Sequence, residues 1–217
     1  MYRFFKRLMD IALSLLGLLA LAPLLLLLLL LIRMDSKGSP IFRQRRVGKD
    51  GRLFEVFKLR TMKTSAPKSV ATAELQNADA HITRIGHFLR KTSLDELPQL
   101  LNVLRGDMSL IGPRPLVPEE KGIHEERMQR GAYAVRPGIT GWAQVNGRDC
   151  VDPATKAELD AFYARNTSLR LDLKILAFTA FCVLTARGVR EGATEFDEEI
   201  DEQARAARQK SAERSIS

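Results

Sequence analysis

The chain has 217 residues, 45% of them hydrophobic and 28% charged, with a formal net charge of +8. That suits one principal globular domain carrying an apolar appendage. The charge is unevenly placed: residues 1–65 hold 13 Lys and Arg against 4 Asp and Glu, whereas residues 151–217 hold 10 against 12. A positive excess beside an apolar run suits an anionic membrane face better than a uniformly basic nucleic-acid binder, so no nucleic-acid partner is expected. Cys150 and Cys182 belong to no Cys-x-x-Cys or Cys/His cluster, and His81, His87 and His124 lack metal-ligand spacing. A disulfide framework and a zinc site are therefore not expected, and a reducing compartment is.

Ile11 to Ile32 is an uncharged run of 22 residues that includes eight consecutive leucines, Leu24 to Leu31. As a helix it reaches about 33 Å, enough to cross a bilayer core. Arg3, Lys6 and Arg7 precede it, and Arg33, Lys37, Arg43, Arg45 and Arg46 follow it. Because positive charge keeps flanking segments on the cytoplasmic side, both ends favour one side. Pro23 near the midpoint removes a backbone donor and predicts a kink. A spanning helix and a re-entrant hairpin both remain open on these residues. A signal peptide cleaved after Ala20-Leu21-Ala22 is the third reading. It leaves Pro23 and the leucine octamer at the new terminus, which makes little physical sense.

Residues 40–47 and 52–60 flank Gly48-Lys49-Asp50-Gly51 and predict a β-hairpin around an Asp-Gly turn. On the second strand the period of two places Phe54, Val56, Lys58 and Arg60 on one face. Lys58 and Arg60 are then either a solvated basic edge or a phosphate-facing pair. Residues 63–80 read as a mobile loop running into a short helix, and Ile85 to Leu89 as a helical turn followed by Arg90 and Lys91.

Leu94, Leu97, Leu101 and Leu104 recur at helical spacing, and Gly106 fits a C-terminal stop. Proline is tolerated only in a first helical turn, so Pro98 predicts a start near Asp95 with Asp95 as N-cap. A capping box from Ser93 to Glu96 is the rival, and it buries Pro98 too deeply. At such a helix start, free amides attract phosphate. Asp95 and Glu96 are then either a plain cap and a dipole-complementing charge, or chemistry.

Gly112-Pro113-Arg114-Pro115 brackets one arginine between prolines, which restrains its backbone and favours phosphate contact over an incidental surface turn. Residues 136–148 read as an ordered loop with short strand character. Pro153 to Asn166 and Leu171 to Ala186 predict two helices, the second packed in a core or lying in a membrane interface. Residues 191–217 read as a charged, frayed or disordered tail.

Four motifs, Phe57-Lys58-Leu59-Arg60-Thr61-Met62, Leu94-Asp95-Glu96-Leu97-Pro98-Gln99-Leu100, Gly106 to Pro115 and Arg136 to Trp142, together resemble the small monotopic bacterial sugar transferases, the polyprenyl-phosphate phosphoglycosyl transferases. The resemblance covers roughly residues 1–187. It implies an α+β protein: a re-entrant membrane helix-break-helix at 1–35 bending at Ala22-Pro23, joined to a small, mostly helical catalytic domain at 36–190 with a β-hairpin and interfacial amphipathic helices. The charged tail, 191–217, follows. The family's bend is typically Ser-Pro, so a serine hydroxyl for the freed backbone is absent here. The resemblance further implies a bacterial inner-membrane enzyme at the cytoplasmic face, with a UDP-sugar, polyprenyl phosphate and membrane lipid as partners. In its two-step reaction Asp95 is the nucleophile and Mg²⁺ ligand, and Glu96 assists by holding Mg²⁺ or handling a proton. Arg90 and Arg114 contact phosphate or nucleotide, with Pro113, Pro115, Lys58 and Arg60 completing the substrate-binding set.

Overall fold

The structure, a computed structural model, describes residues 2–66, 81–146 and 152–184. The charged tail, Cys150 and most of the 63–80 loop lie outside these. Helix α1 runs from Tyr2 to Asp35, 34 residues or about 51 Å of axis. Strands β1 (Ile41–Val47) and β2 (Leu53–Leu59) follow, then helices α2 (Arg84–Lys91) and α3 (Gln99–Arg105), with a 3₁₀ turn at Leu94–Glu96 between them. Strand β3 (Ser109–Ile111), helix α4 (Lys121–Arg130), strand β4 (Gly138–Thr140) and helices α5 (Trp142–Val145), α6 (Pro153–Arg165) and α7 (Leu169–Leu184) complete the order. The fold is mixed, with much helix and two small sheets.

The hairpin forms as its turn chemistry dictates. β1 and β2 pair antiparallel from Ile41↔Leu59 to Val47↔Leu53. Asp50 and Gly51 take the positive φ of the connection, 56° and 75°. The expected one-sided alternation fails in the second half of β2, where Val56, Phe57 and Leu59 are all buried. The reason is that β2 is covered on both faces: Leu59 packs with Leu28, Ile32 and Leu89, and Val56 with Val103 and Met108. β3 and β4 form a parallel pair, Ser109↔Gly138 and Ile111↔Thr140. Behind it Ile111, Tyr163 and Ile175 make a third small core.

Asn102, fully buried on α3, joins that helix to β2. Its Oδ1 accepts from the Phe57 amide at 3.0 Å and its Nδ2 donates to the Glu55 carbonyl at 2.6 Å. One carboxamide thus supplies a strand edge with the pairing a third strand would give. Gly106 stops α3 as expected, with φ of 93° and its amide returned to Asn102 and Val103.

The break expected at Ala22-Pro23 does not interrupt the helix. Pro23 lies inside α1, which is one element from end to end; a proline bend can be absorbed without ending the helix. Only 11% of the most apolar stretch of α1 is buried inside the protein, unlike the core helix of a soluble domain. A long apolar N-terminal helix of this kind is compatible with membrane anchoring. Both ends of α1 touch the same body. Near the start, Arg7 donates to the carbonyls of Val103 and Leu104 at 2.6 and 3.0 Å, closing the end of α3, and Asp10 accepts from the Leu110 amide at 3.1 Å. Tyr2 and Lys6 reach Asp172 of α7 at 2.6 and 2.9 Å. At the far end, Leu28 and Ile32 pack on Leu59 and Leu89.

Helix α7 resolves the alternative left open for it. Asp172 and Ile175 face inward, while Leu169, Leu173, Leu176, Phe178 and Phe181 are exposed. It is a helix with an unburied apolar face.

The end of α1 is closed by one buried side chain. Arg60 donates to the carbonyls of Ile32, Ser36 and Lys37 at 3.2, 2.6 and 3.0 Å, and to the Ser36 hydroxyl at 2.8 Å. Arg60→Met deprives those carbonyls of their donor, at an expected cost of about 3 kcal/mol. A clearly lowered thermal midpoint of the detergent-solubilised protein is the expected reading, and an unchanged midpoint would show that this cap holds nothing.

Candidate active site

The acidic pair sits on a 3₁₀ turn between two helices. α2 begins at Thr83, whose side chain accepts from the Gly86 amide, and ends in the cations Arg90 and Lys91. Ser93 then takes a left-handed conformation, φ 56°, and reverses the backbone into the 3₁₀ turn Leu94–Glu96. α3 starts only at Gln99, with Pro98 at its N-cap position. Asp95 is therefore not the N-cap of that helix, and Ser93 makes no side-chain cap either. A proline at 98 fits the boundary of α3, and the left-handed Ser93 supplies the turn that a helix start near Asp95 was expected to provide.

The phosphate-binding amides expected at a helix start are likewise spent. The amides of Glu96, Leu97, Leu100 and Leu101 are bonded to the carbonyls of Ser93, Leu94, Leu97 and Pro98. Positive charge at the site comes from side chains instead. Lys58 on β2 places Nζ 2.8 Å from Glu96 Oε1 and 3.9 Å from Asp95 Oδ2. Arg114 Nη1 lies 3.5 Å from the same Glu96 oxygen. Arg90 is tethered by its Nε to the Thr61 hydroxyl at 3.0 Å and acts on Asp95 through its charge.

Of the expected site residues, Asp95, Glu96, Lys58, Arg90 and Arg114 are thus brought together. Pro113 and Pro115 shape the segment that presents Arg114, and their carbonyls accept from the Gly138 amide and from Arg46. Arg60 is not among them. β2 ends at Leu59, so strand alternation no longer governs the next side chain, and Arg60 turns to the end of α1. Gln99, buried and hydrogen-bonded to Glu96, was missed. Its signals were its place in the Leu94–Leu100 motif and a spacing of three from Glu96 across the turn.

The two carboxylates are unequal. Burial raises the Asp95 carboxyl above its ordinary range; Lys58 opposes this, and the Glu96 charge adds to it, while Arg90 and Arg114 pull down. Burial also works against ionised Glu96, but Lys58 and Arg114, with hydrogen bonds from Lys58 and Gln99, outweigh it and hold its carboxyl down to about 2. Glu96 is a permanent anion at neutral pH. Asp95 is the less stabilised of the two, and therefore the more basic oxygen pair. Among the described residues no group of three or more His, Cys, Asp and Glu is arranged to hold a metal. Two adjacent carboxylates nevertheless fit Mg²⁺, which commonly takes one or two protein carboxylates and completes its shell with water or phosphate oxygens.

The chain is similar over most of its length to known proteins. A protein of Komagataeibacter xylinus named undecaprenyl-phosphate glucose phosphotransferase is 46% identical over 186 residues, 80% of this chain and 35% of its own length. The UDP-glucose:undecaprenyl-phosphate glucose-1-phosphate transferase of Escherichia coli is 43% identical over 188 residues, 82% of this chain and 40% of its own. This chain therefore spans well under half of those two relatives. It covers 90% of the uncharacterized sugar transferase EpsL of Bacillus subtilis, at 41% identity over 187 residues. A family model described as bacterial sugar transferase matches residues 1–186, which include α1, the acidic turn and the arginine between prolines, and the chain belongs to that family.

Proposed function

We propose that the protein transfers a sugar-1-phosphate from a UDP-sugar to a polyprenyl phosphate such as undecaprenyl phosphate, releasing UMP and initiating a membrane glycoconjugate. The observation that carries this reading is the Asp95–Glu96 pair under Lys58 and Arg114, on a body that α1 follows along its length. An Asp95 oxygen attacks the β-phosphorus of the donor, the bond to the bridging oxygen breaks, and UMP departs. The sugar phosphate is left esterified to Asp95. An oxygen of the lipid phosphate then attacks that phosphorus and frees the carboxylate. Splitting one displacement into two eases the approach of anion to anion.

The unequal carboxylates support a division of labour. Asp95 lies 3.9 Å from Lys58, outside a close ion pair, so its lone pairs are available. Glu96, held ionised, does not shuttle protons near neutrality; it fixes Lys58 and Arg114 over the site. Arg114, with its side chain 40% exposed, can meet the donor's phosphates from its contact with Glu96, and Arg90 adds charge beside Asp95. Asp95, with Glu96 adjacent, would hold Mg²⁺, which would supply further neutralisation of the diphosphate.

The same reading places α1 in a single leaflet, re-entering at Ala22-Pro23, at the cytoplasmic face of the inner membrane. Its support is that both ends of α1 rest on one body, through Arg7 and Asp10 at the start and Leu28 and Ile32 at the end. A spanning helix carries one end roughly 30 Å from the other across the hydrocarbon. The exposed leucines and phenylalanines of α7 give that body a second apolar face to lay on lipid.

Asp95→Asn is expected to abolish UMP release across a panel of UDP-sugars with undecaprenyl phosphate and Mg²⁺. It also prevents tagging by a sugar-labelled donor when the lipid is withheld. Since the folded Asp95 carboxyl lies above its unfolded value, ionised Asp95 opposes folding once pH exceeds that value, and the neutral variant should melt at or above the wild-type temperature at pH 7. Full turnover by the Asn variant would defeat the covalent scheme.

Topology is checked in a background lacking Cys150 and Cys182. Single cysteines introduced before Met9 and after Met34 should react with an impermeant maleimide from the same side of sealed vesicles. Reaction from opposite sides restores the spanning helix.

A further inference from the structure

Residues 113–117 belong to no helix or strand, yet each of their carbonyls has a donor. Pro113 O accepts from the Gly138 amide at 2.9 Å, and Leu116 O from the Val47 amide at 3.0 Å. Pro115 O accepts from Arg46 Nη1 at 3.3 Å, and Val117 O from His124 Nε2 at 2.8 Å. A carbonyl only accepts, so that His124 nitrogen carries the proton, and in the neutral ring Nδ1 takes the Tyr133 hydroxyl. The remaining carbonyl, that of Arg114, accepts from Arg127 Nη1 at 2.9 Å.

Arg127 is the unusual member. It projects from α4, is 1% exposed, and pairs through Nη2 with Asp160 of α6, also 1% exposed. A fully buried ion pair is costly to assemble, and nothing in packing alone asks for one here, since apolar residues of like volume serve a core as well or better. Arg127 does not touch Asp95 or Glu96. Besides its partner it touches the Tyr133 hydroxyl and the backbone of the arginine that contacts Glu96.

We infer that the buried Arg127–Asp160 pair is a positioning device for Arg114, fixing the backbone from which the Arg114 guanidinium reaches Glu96 and the donor's phosphates. The planar guanidinium suits the task because one arm engages the α6 carboxylate while another is aimed at the loop. A lysine offers one compact charge and cannot hold both at that separation. The inference rests on the phosphate role of Arg114 proposed above.

The test is a double-mutant cycle on the full-length, membrane-extracted protein. It uses the UDP-sugar that gives the fastest UMP release in the panel above. Arg127→Lys and Asp160→Asn are each expected to lower kcat/KM, the former by on the order of a hundredfold, the loss that a misplaced catalytic group incurs. In an Arg114→Ala background the same substitutions should cost almost nothing further, because a positioning residue has no effect once the group it positions is gone. If Arg127→Lys extracts poorly, Asp160→Asn, which keeps shape and loses only charge, carries the cycle. Losses that multiply undiminished in the Arg114→Ala background would overturn the inference, leaving the pair a purely structural strut. An Arg114→Ala enzyme with wild-type kcat/KM would overturn the phosphate role itself, and the positioning with it.

Discussion

Two carboxylates joined by a single peptide bond must share the charge that surrounds them, and the rest of the site follows from how it is divided. Glu96 takes the short contact with Lys58 and the contact with Arg114, and Gln99 adds a hydrogen bond. Asp95 is left with the longer approach of Lys58 and a buried setting that disfavours its charge. Two equivalent acids would either compete for one proton or be equally silenced by cations. Here identity of chemistry is broken by geometry: one side chain is an anchor for positive charge, and its neighbour has only the longer approach of Lys58. The left-handed Ser93 is the device that makes this possible, since it lets both acids lie on one turn beneath β2.

That turn is held from three sides. Leu94 packs with the cluster of Leu28, Ile32, Leu59 and Leu89, so the end of α1 is part of the floor below the acids. Asn102 fastens α3 to β2, which fixes Lys58 relative to the turn. The segment after β3 brings in Arg114 with every neighbouring carbonyl occupied. Close backbone approaches complete this side: a Cβ on Gly138 would lie 2.0 Å from the Gly112 nitrogen, so the parallel strand pair that flanks the segment requires glycine there.

The sequence carried the local chemistry well and the long-range chemistry poorly. The hairpin was legible because Asp50-Gly51 can adopt positive φ, and the end of α3 because Gly106 can. Asp95, Glu96, Lys58 and Arg114 stand in motifs that the sequence singles out, and Arg90 follows a predicted helical turn; the structure brings the five together. Three things were not legible. A left-handed serine leaves no mark on a sequence, so the start of α3 was placed too early. Alternation along β2 was extended one residue past the strand, which put Arg60 on the face of Lys58, either solvated or toward phosphate, when it closes α1. Arg127 and Asp160, 33 residues apart, have no shared period or motif, and only the packing of α4 on α6 joins them. Their partners are set by tertiary distance, which spacing along the chain does not encode.

Arg7 and Arg60 are reciprocal. The first, near the start of α1, closes the end of α3; the second, just past β2, closes the end of α1. Each of the two helices therefore has its last turn finished by a residue from the other part of the molecule. The greasy segment is consequently no detachable tether. Trimming the first 35 residues to obtain a water-soluble catalytic fragment removes the donor that finishes the Gln99-bearing helix, strips Leu28 and Ile32 from beneath the acids, and strands a buried guanidinium with nothing to cap. The acidic turn and the apolar helix are, in this architecture, one packed unit.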